Sequence, residues 1–243
     1  MKTFPNIKPL IVLVSFISLT NCSASSTYEE EGKTYHAAPT LKSAELNISS
    51  LSSWRQNIIK EALKVRSETP WPRYTFGSAH PRLGGFDCSG AIYYTLQRLS
   101  SYQKVPRTSS AQYQWLKDKG TIHHVSKDAR TLDHPDFQQL TPGDLVFWSG
   151  TYEPTDGRLS PITHVGMYLG YQSGYNRPVM ICASKGRYYK GLRRDGFGVY
   201  DFKIPSAKSR AQIVAYGGLE KEKKSNDTLS QKNTLPEIKA DTH

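Results

Sequence analysis

Hydrophobic and polar positions divide the chain into stretches of distinct character. Pro9 to Leu19 is almost wholly apolar, follows Lys2 and Lys8, and ends in Leu19-Thr20-Asn21-Cys22. A run this short and this close to the start, with positive charge before it, predicts an export signal over residues 1–22 rather than a membrane span. Residues 23–50 hold Ser, Thr and Glu with few large apolar side chains, which predicts a flexible tether. Trp54, Ile58, Ala62 and Val65 then recur at helical spacing; Ser52 or Ser53 can cap the start, and Pro70 and Pro72 impose a stop. After a Gly- and Pro-rich loop over 74–86, Ser89 to Leu99 predicts a second helix entered directly from Cys88. Beyond it the apolar runs shorten. Leu145–Trp148, His164–Leu169, Val179–Cys182, Gly198–Phe202 and Ile213–Tyr216 predict strands. Helices first and strands afterwards predict an α+β domain over 51–219, with N-terminal helices packed on a mainly antiparallel sheet. From Glu220 to His243 the chain is charged and almost without core residues, which predicts a disordered tail.

Composition narrows the setting. The 243 residues suffice for one domain with a proper core plus tails. The formal net charge of +11 favours an anionic partner: nucleic acid, acidic lipid or a wall polymer. Export removes nucleic acid from that set and points to the cell envelope. The sequence ending in Cys22 resembles a lipobox, in which the cysteine is diacylated and anchors the protein to a membrane. Asn21 departs from the small residue usual before the Cys; an ordinary secretory signal and an uncleaved anchor are the alternatives. Three cysteines, Cys22, Cys88 and Cys182, do not make a disulfide scaffold. Cys88 and Cys182 either pair with each other, or one of them is a working thiol.

The segment Gly85-Phe86-Asp87-Cys88-Ser89-Gly90 favours a working thiol. A Cys in the first turn of a helix faces unpaired N–H groups and the positive end of the dipole, and both favour the nucleophilic thiolate. Such a nucleophile needs a base. His164, in Thr163-His164-Val165-Gly166, sits on a predicted strand and is the leading candidate. His80, just before Cys88, is the rival. His123, His124 and His134 fall in a polar connection and read as surface residues. No His/Cys/Glu spacing resembles a metal site, so a metallopeptidase is disfavoured and no cofactor is expected.

Four stretches in order resemble the NlpC-type family of papain-like cell-wall cysteine peptidases. They are Tyr74-Thr75-Phe76-Gly77; Phe86-Asp87-Cys88-Ser89-Gly90; Pro106-Arg107-Thr108-Ser109 with Gln112; and Leu140 to Phe147 followed by His164 to Gly170. The resemblance implies that Cys88 is the nucleophile and that His164 is the base and then the acid for the leaving amine. It implies that the Tyr74 hydroxyl lies near the site and assists the oxyanion. Asp87 and Ser89 would fix the loop and bind substrate groups, and Arg107 would form a structural ion pair. The implied substrate is peptidoglycan, cut at an amide of the stem peptide between γ-linked D-Glu and a diamino acid. At the third catalytic position, where the family has a polar residue that orients the imidazole, this chain has Cys182, with Ser184 two residues on. A thiol is a poor orienting acceptor, so a catalytically weak or inactive wall-binding protein, or a thiol-dependent amidase or acyltransferase, stands as the alternative. Arg187 belongs to a basic stretch, Ser184 to Arg194, that reads first as a solvated face; the alternative is that it borders the cleft and holds an acidic stem peptide.

Overall fold

A computed structural model describes residues 27–219, apart from 31, 71, 72 and 103. The expected signal segment with Cys22, and the expected tail from Glu220, lie outside the described residues. Two short strands, β1 (Thr27–Glu30) and β2 (Lys33–His36), form a hairpin. Helix α1 (Ser53–Glu68) follows, with Ser52 at the cap position but without a side-chain bond to the helix. Its buried residues, Ile58, Ile59, Ala62, Leu63 and Val65, lie along one face, as the helical spacing requires.

A tight loop carries the small ladder β3 (Ala79–His80) and β4 (Gly85–Phe86) and delivers the chain to α2 (Cys88–Gln97). Helix α3 (Ser109–Asp118) comes next, and Thr108 caps it by accepting from the Ala111 N–H at 3.2 Å. The remaining strands are β5 (Ile122–His124), β6 (Leu145–Ser149), β7 (Ile162–Tyr171), β8 (Pro178–Tyr189), β9 (Leu192–Asp201) and β10 (Gln212–Gly217). They form one sheet in the order β5-β10-β6-β7-β8-β9, with every neighbouring pair antiparallel.

Both faces of this sheet are buried. Leu145, Phe147, Val165, Met167, Ile181 and Val199 pack against the helices. Val146, Trp148, Tyr168, Met180, Cys182 and Tyr200 form a second cluster with Ala129 and Phe137. Burial on two sides explains why the central strands read as continuous apolar runs and not as alternations.

The structure corrects the reading of 23–50 as a flexible tether where it describes the segment, from residue 27 on. Ala37, Ala38, Leu41, Leu46 and Ile48 are buried. The segment straps the outer edge of the sheet: the Ala38 N–H donates to the Asp195 carbonyl at 2.9 Å and the Val199 N–H donates to the Pro39 carbonyl at 2.8 Å. Arg66 of α1 clamps the strap with two bonds to the Ala38 carbonyl, at 2.8 and 2.7 Å. Gly198 makes the close approach possible, because a Cβ there would lie 2.6 Å from that of Ala38.

Candidate active site

Cys88 opens α2, and the loop before it is held by one carboxylate. Asp87 caps the helix, its Oδ1 accepting from the Gly90 N–H at 2.6 Å. Its Oδ2 accepts from the Gly77 N–H at 2.9 Å. Arg107 grips both oxygens, at 3.0 and 2.9 Å, and donates to the Ser89 hydroxyl at 3.0 Å. The Ser89 hydroxyl in turn donates to Oδ1 at 3.3 Å. With these contacts the acceptor sites of Asp87 are filled within the protein. Asp87, expected to fix the loop and substrate groups, thus holds the nucleophile loop with Arg107 as its ion-pair partner, and it also borders the cleft. Gln112 braces the helix entry through its amide, which donates to the carbonyls of Ser89 and Pro106, both at 3.0 Å. Gly90 lets α2 sit directly on the preceding loop, since a Cβ there would lie 2.1 Å from the Ser78 carbonyl oxygen.

The Cys88 thiol is buried among apolar residues, and its acidity departs from expectation. Burial and the Asp87 charge push its pKa up to about 11, against the opposing pull of the N–H groups of Val165, Ser89 and Cys88 itself. Desolvation of the thiolate outweighs the helix N-terminus. The N–H of Val165, in the peptide unit that joins His164 to Val165, is thus one of the thiol's neighbours.

His164 lies on β7 opposite Trp148 of β6. The two rings meet at 61°, with centroids 5.4 Å apart. Its Nε2 is buried and has no hydrogen-bond partner among the described residues. Burial and then the nearby Arg187 charge hold the imidazole pKa well below the usual value. Both shifts favour the free thiol and the neutral imidazole.

Cys182 is fully buried on the same sheet face, in the Trp148 cluster. Burial raises its pKa to about 12. Ser184 borders the cavity that contains His164. Neither side chain bonds to His164 Nε2. Cys88 and Cys182 are both free thiols.

Two adjoining cavities open on the pair. The first, of about 310 Å³, is bordered by Cys88, Tyr74, Asp87, Ser89 and Thr163. The second, of about 640 Å³, is bordered by His164, Ser184, Lys185, Arg187 and Thr163. Tyr74, Phe76 and Tyr152 border both. Burial and then the neighbouring Cys88 and Asp87 raise the Tyr74 pKa, so its hydroxyl keeps its proton and remains a hydrogen-bond donor.

His80 is engaged elsewhere. Its Nδ1 accepts from the Arg82 N–H at 3.1 Å, and its ring packs edge-on against Tyr94. His123 stacks on Tyr216, and His134 Nδ1 accepts from the Asp136 N–H. Trp148 was not among the expected site residues. Its place opposite His164 depends on the strand register, which the sequence does not display.

Helices packed on one antiparallel sheet, with a cysteine opening a helix and a histidine on a central strand, make an α+β domain. Residues 72–192 match the NlpC/P60 family, and the chain belongs to it. The bifunctional muramidase/DL-endopeptidase CwlT of Bacillus subtilis is 28% identical over 153 residues, 62% of this chain and 38% of the relative. The murein DD-endopeptidase MepH of Escherichia coli is 32% identical over 115 residues, 47% of this chain and 34% of the relative. A gamma-DL-glutamyl hydrolase of Bacillus subtilis is 32% identical over 130 residues, 50% of this chain and 25% of the relative. The chain therefore spans between a quarter and two fifths of the length of these curated relatives.

Proposed function

We propose that this protein is a cysteine peptidase of the bacterial cell wall that hydrolyses amide bonds in peptidoglycan stem peptides. The observation that carries the reading is the placement of Cys88 at the start of α2 and of His164 on β7 so that they border two adjoining cavities, which share Tyr74, Phe76, Tyr152 and Thr163. In this reading the His164 imidazole takes the thiol proton as the sulfur attacks the scissile carbonyl, then hands it to the leaving amine. Water next hydrolyses the thioester and restores the thiol. The Cys88 N–H and the Tyr74 hydroxyl are the donors available to the oxyanion. The preferred bond is that between γ-linked D-Glu and the diamino acid, a choice supported by the DL-endopeptidase and gamma-DL-glutamyl hydrolase names of two relatives. Lipid attachment at Cys22 would hold the enzyme at a membrane surface in the envelope.

The orphaned Nε2 and the raised thiol pKa favour one rival, a wall-binding protein of the same fold with little or no catalysis. Incubation of the parent and Cys88→Ala proteins with purified muropeptides under reducing conditions separates the two, with products read by mass spectrometry. The peptidase reading expects stem fragments from the parent alone. Wall binding by both proteins with no fragments from either would establish the rival.

A further inference from the structure

The two cavities divide the cleft according to the chemistry. When the thiol attacks an amide, a C–S bond forms, the C–N bond breaks and the proton travels through His164 to the nitrogen. The acyl half of the substrate remains on Cys88, and the amine half departs on the His164 side. The 310 Å³ cavity contains Cys88 and not His164; the 640 Å³ cavity contains His164 and not Cys88. The larger cavity is thus the place for the residue that leaves.

Its wall carries an unspent cation. The Arg187 guanidinium lies over the Trp148 ring, 5.0 Å from the centroid. It has no carboxylate within ion-pairing distance among the described residues. Arg210, which borders the same cavity, pairs with Glu153 at 2.6 Å, and Asp195 accepts from the Gly186 N–H at 2.7 Å. Beside Arg187 stands the buried, unpartnered Nε2 of His164. A guanidinium held over an aromatic face keeps its donor fork for an incoming group, and the group that fits a fork is a carboxylate. In an uncleaved stem peptide the main-chain carboxyl of the leaving residue is itself amidated. A free carboxylate there must belong to its side chain.

We propose that Arg187 is the receptor for a side-chain carboxylate on the residue whose amine leaves. The protein then takes stems with a diaminodicarboxylic acid and discriminates against those in which that residue is lysine or a side-chain carboxamide. The assignment rests on the peptidase reading for its polarity along the cleft. An anion seated on Arg187 also offsets the charge that, after burial, disfavours the imidazolium of His164.

Calorimetry tests it without turnover. Cys88→Ala protein is titrated with L-Ala-γ-D-Glu-diaminopimelyl-D-Ala and with the same peptide whose side-chain carboxylate is a carboxamide. Loss of charge-assisted hydrogen bonds is expected to weaken the carboxamide by about tenfold to a hundredfold. In Cys88→Ala/Arg187→Gln protein the two peptides are expected to bind alike, at the carboxamide level. Equal binding of both by the Arg187 protein, binding of neither, or a preference that survives Arg187→Gln overturns the proposal. Hydrolysis of both peptides by the parent is measured alongside. If the parent cleaves neither yet the binding preference holds, the peptidase reading fails and the carboxylate site stands.

Discussion

Cys88 and His164 occupy positions that oppose their charged forms. Burial raises the thiol to about 11 and depresses the imidazole, so each proton stays where a neutral pair keeps it. Only thiolate reacts with an alkylating agent. The rate of iodoacetamide inactivation is therefore expected to climb about tenfold per pH unit from neutrality toward pH 11. A plateau beginning in the acid range would instead indicate a preformed thiolate–imidazolium pair. The residue types of the site were legible in the sequence because a cysteine at a helix start and a histidine on a strand are local patterns. The acidity of the thiol was not, because desolvation depends on what the fold packs around it. The empty hydrogen-bonding position at His164 Nε2 was legible only as the odd thiol of Cys182.

The entry into α2 shows how a helix end can be built from distant parts. Asp87 supplies the cap, Arg107 from the stretch before α3 supplies the counter-charge, and Gln112 of α3 supports the carbonyls. Arg107→Ala would leave the largely buried Asp87 without its ion pair. The expected loss is about 1–3 kcal/mol of stability, read by denaturant unfolding, together with a fall in activity as the Cys88 loop loosens. Arg107→Lys should recover part of the stability, because a point charge replaces the fork. An unchanged unfolding midpoint in Arg107→Ala would remove the clamp from the account. The central strands and the first two helices were readable from apolar runs and spacing. Helix α3 was not predicted, since only Gln112, Leu116 and Ser109 are buried on it and its polar surface masks the period. The cap at Thr108 was the available signal.

The strap from Ala37 to Ile48 joins the first part of the chain to the outermost strand of the sheet. It covers an edge that would otherwise expose unpaired backbone groups, a ready template for aggregation. A protein beginning at Ser50 is expected to be largely insoluble or to migrate as aggregate on size exclusion. One beginning at Thr27 is expected to remain monodisperse. Equal solubility of the two would show the strap to be dispensable. The strap was hidden in the sequence because its apolar residues are few and widely spaced among Ser, Thr and Lys. Their burial comes from filling a groove over β9 and α1, not from any helical or strand period.

The contacts of Trp148 with the His164 ring and with the Arg187 guanidinium have an optical consequence. Indole emission is quenched by an adjoining imidazolium and shifts with the polarity around the ring. The native protein thus carries its own fluorophore buried against two residues, His164 and Arg187, that border the larger cavity. A change in its brightness would signal that an anion has settled on the guanidinium, or that the histidine has taken up a proton, with no label attached to either protein or peptide.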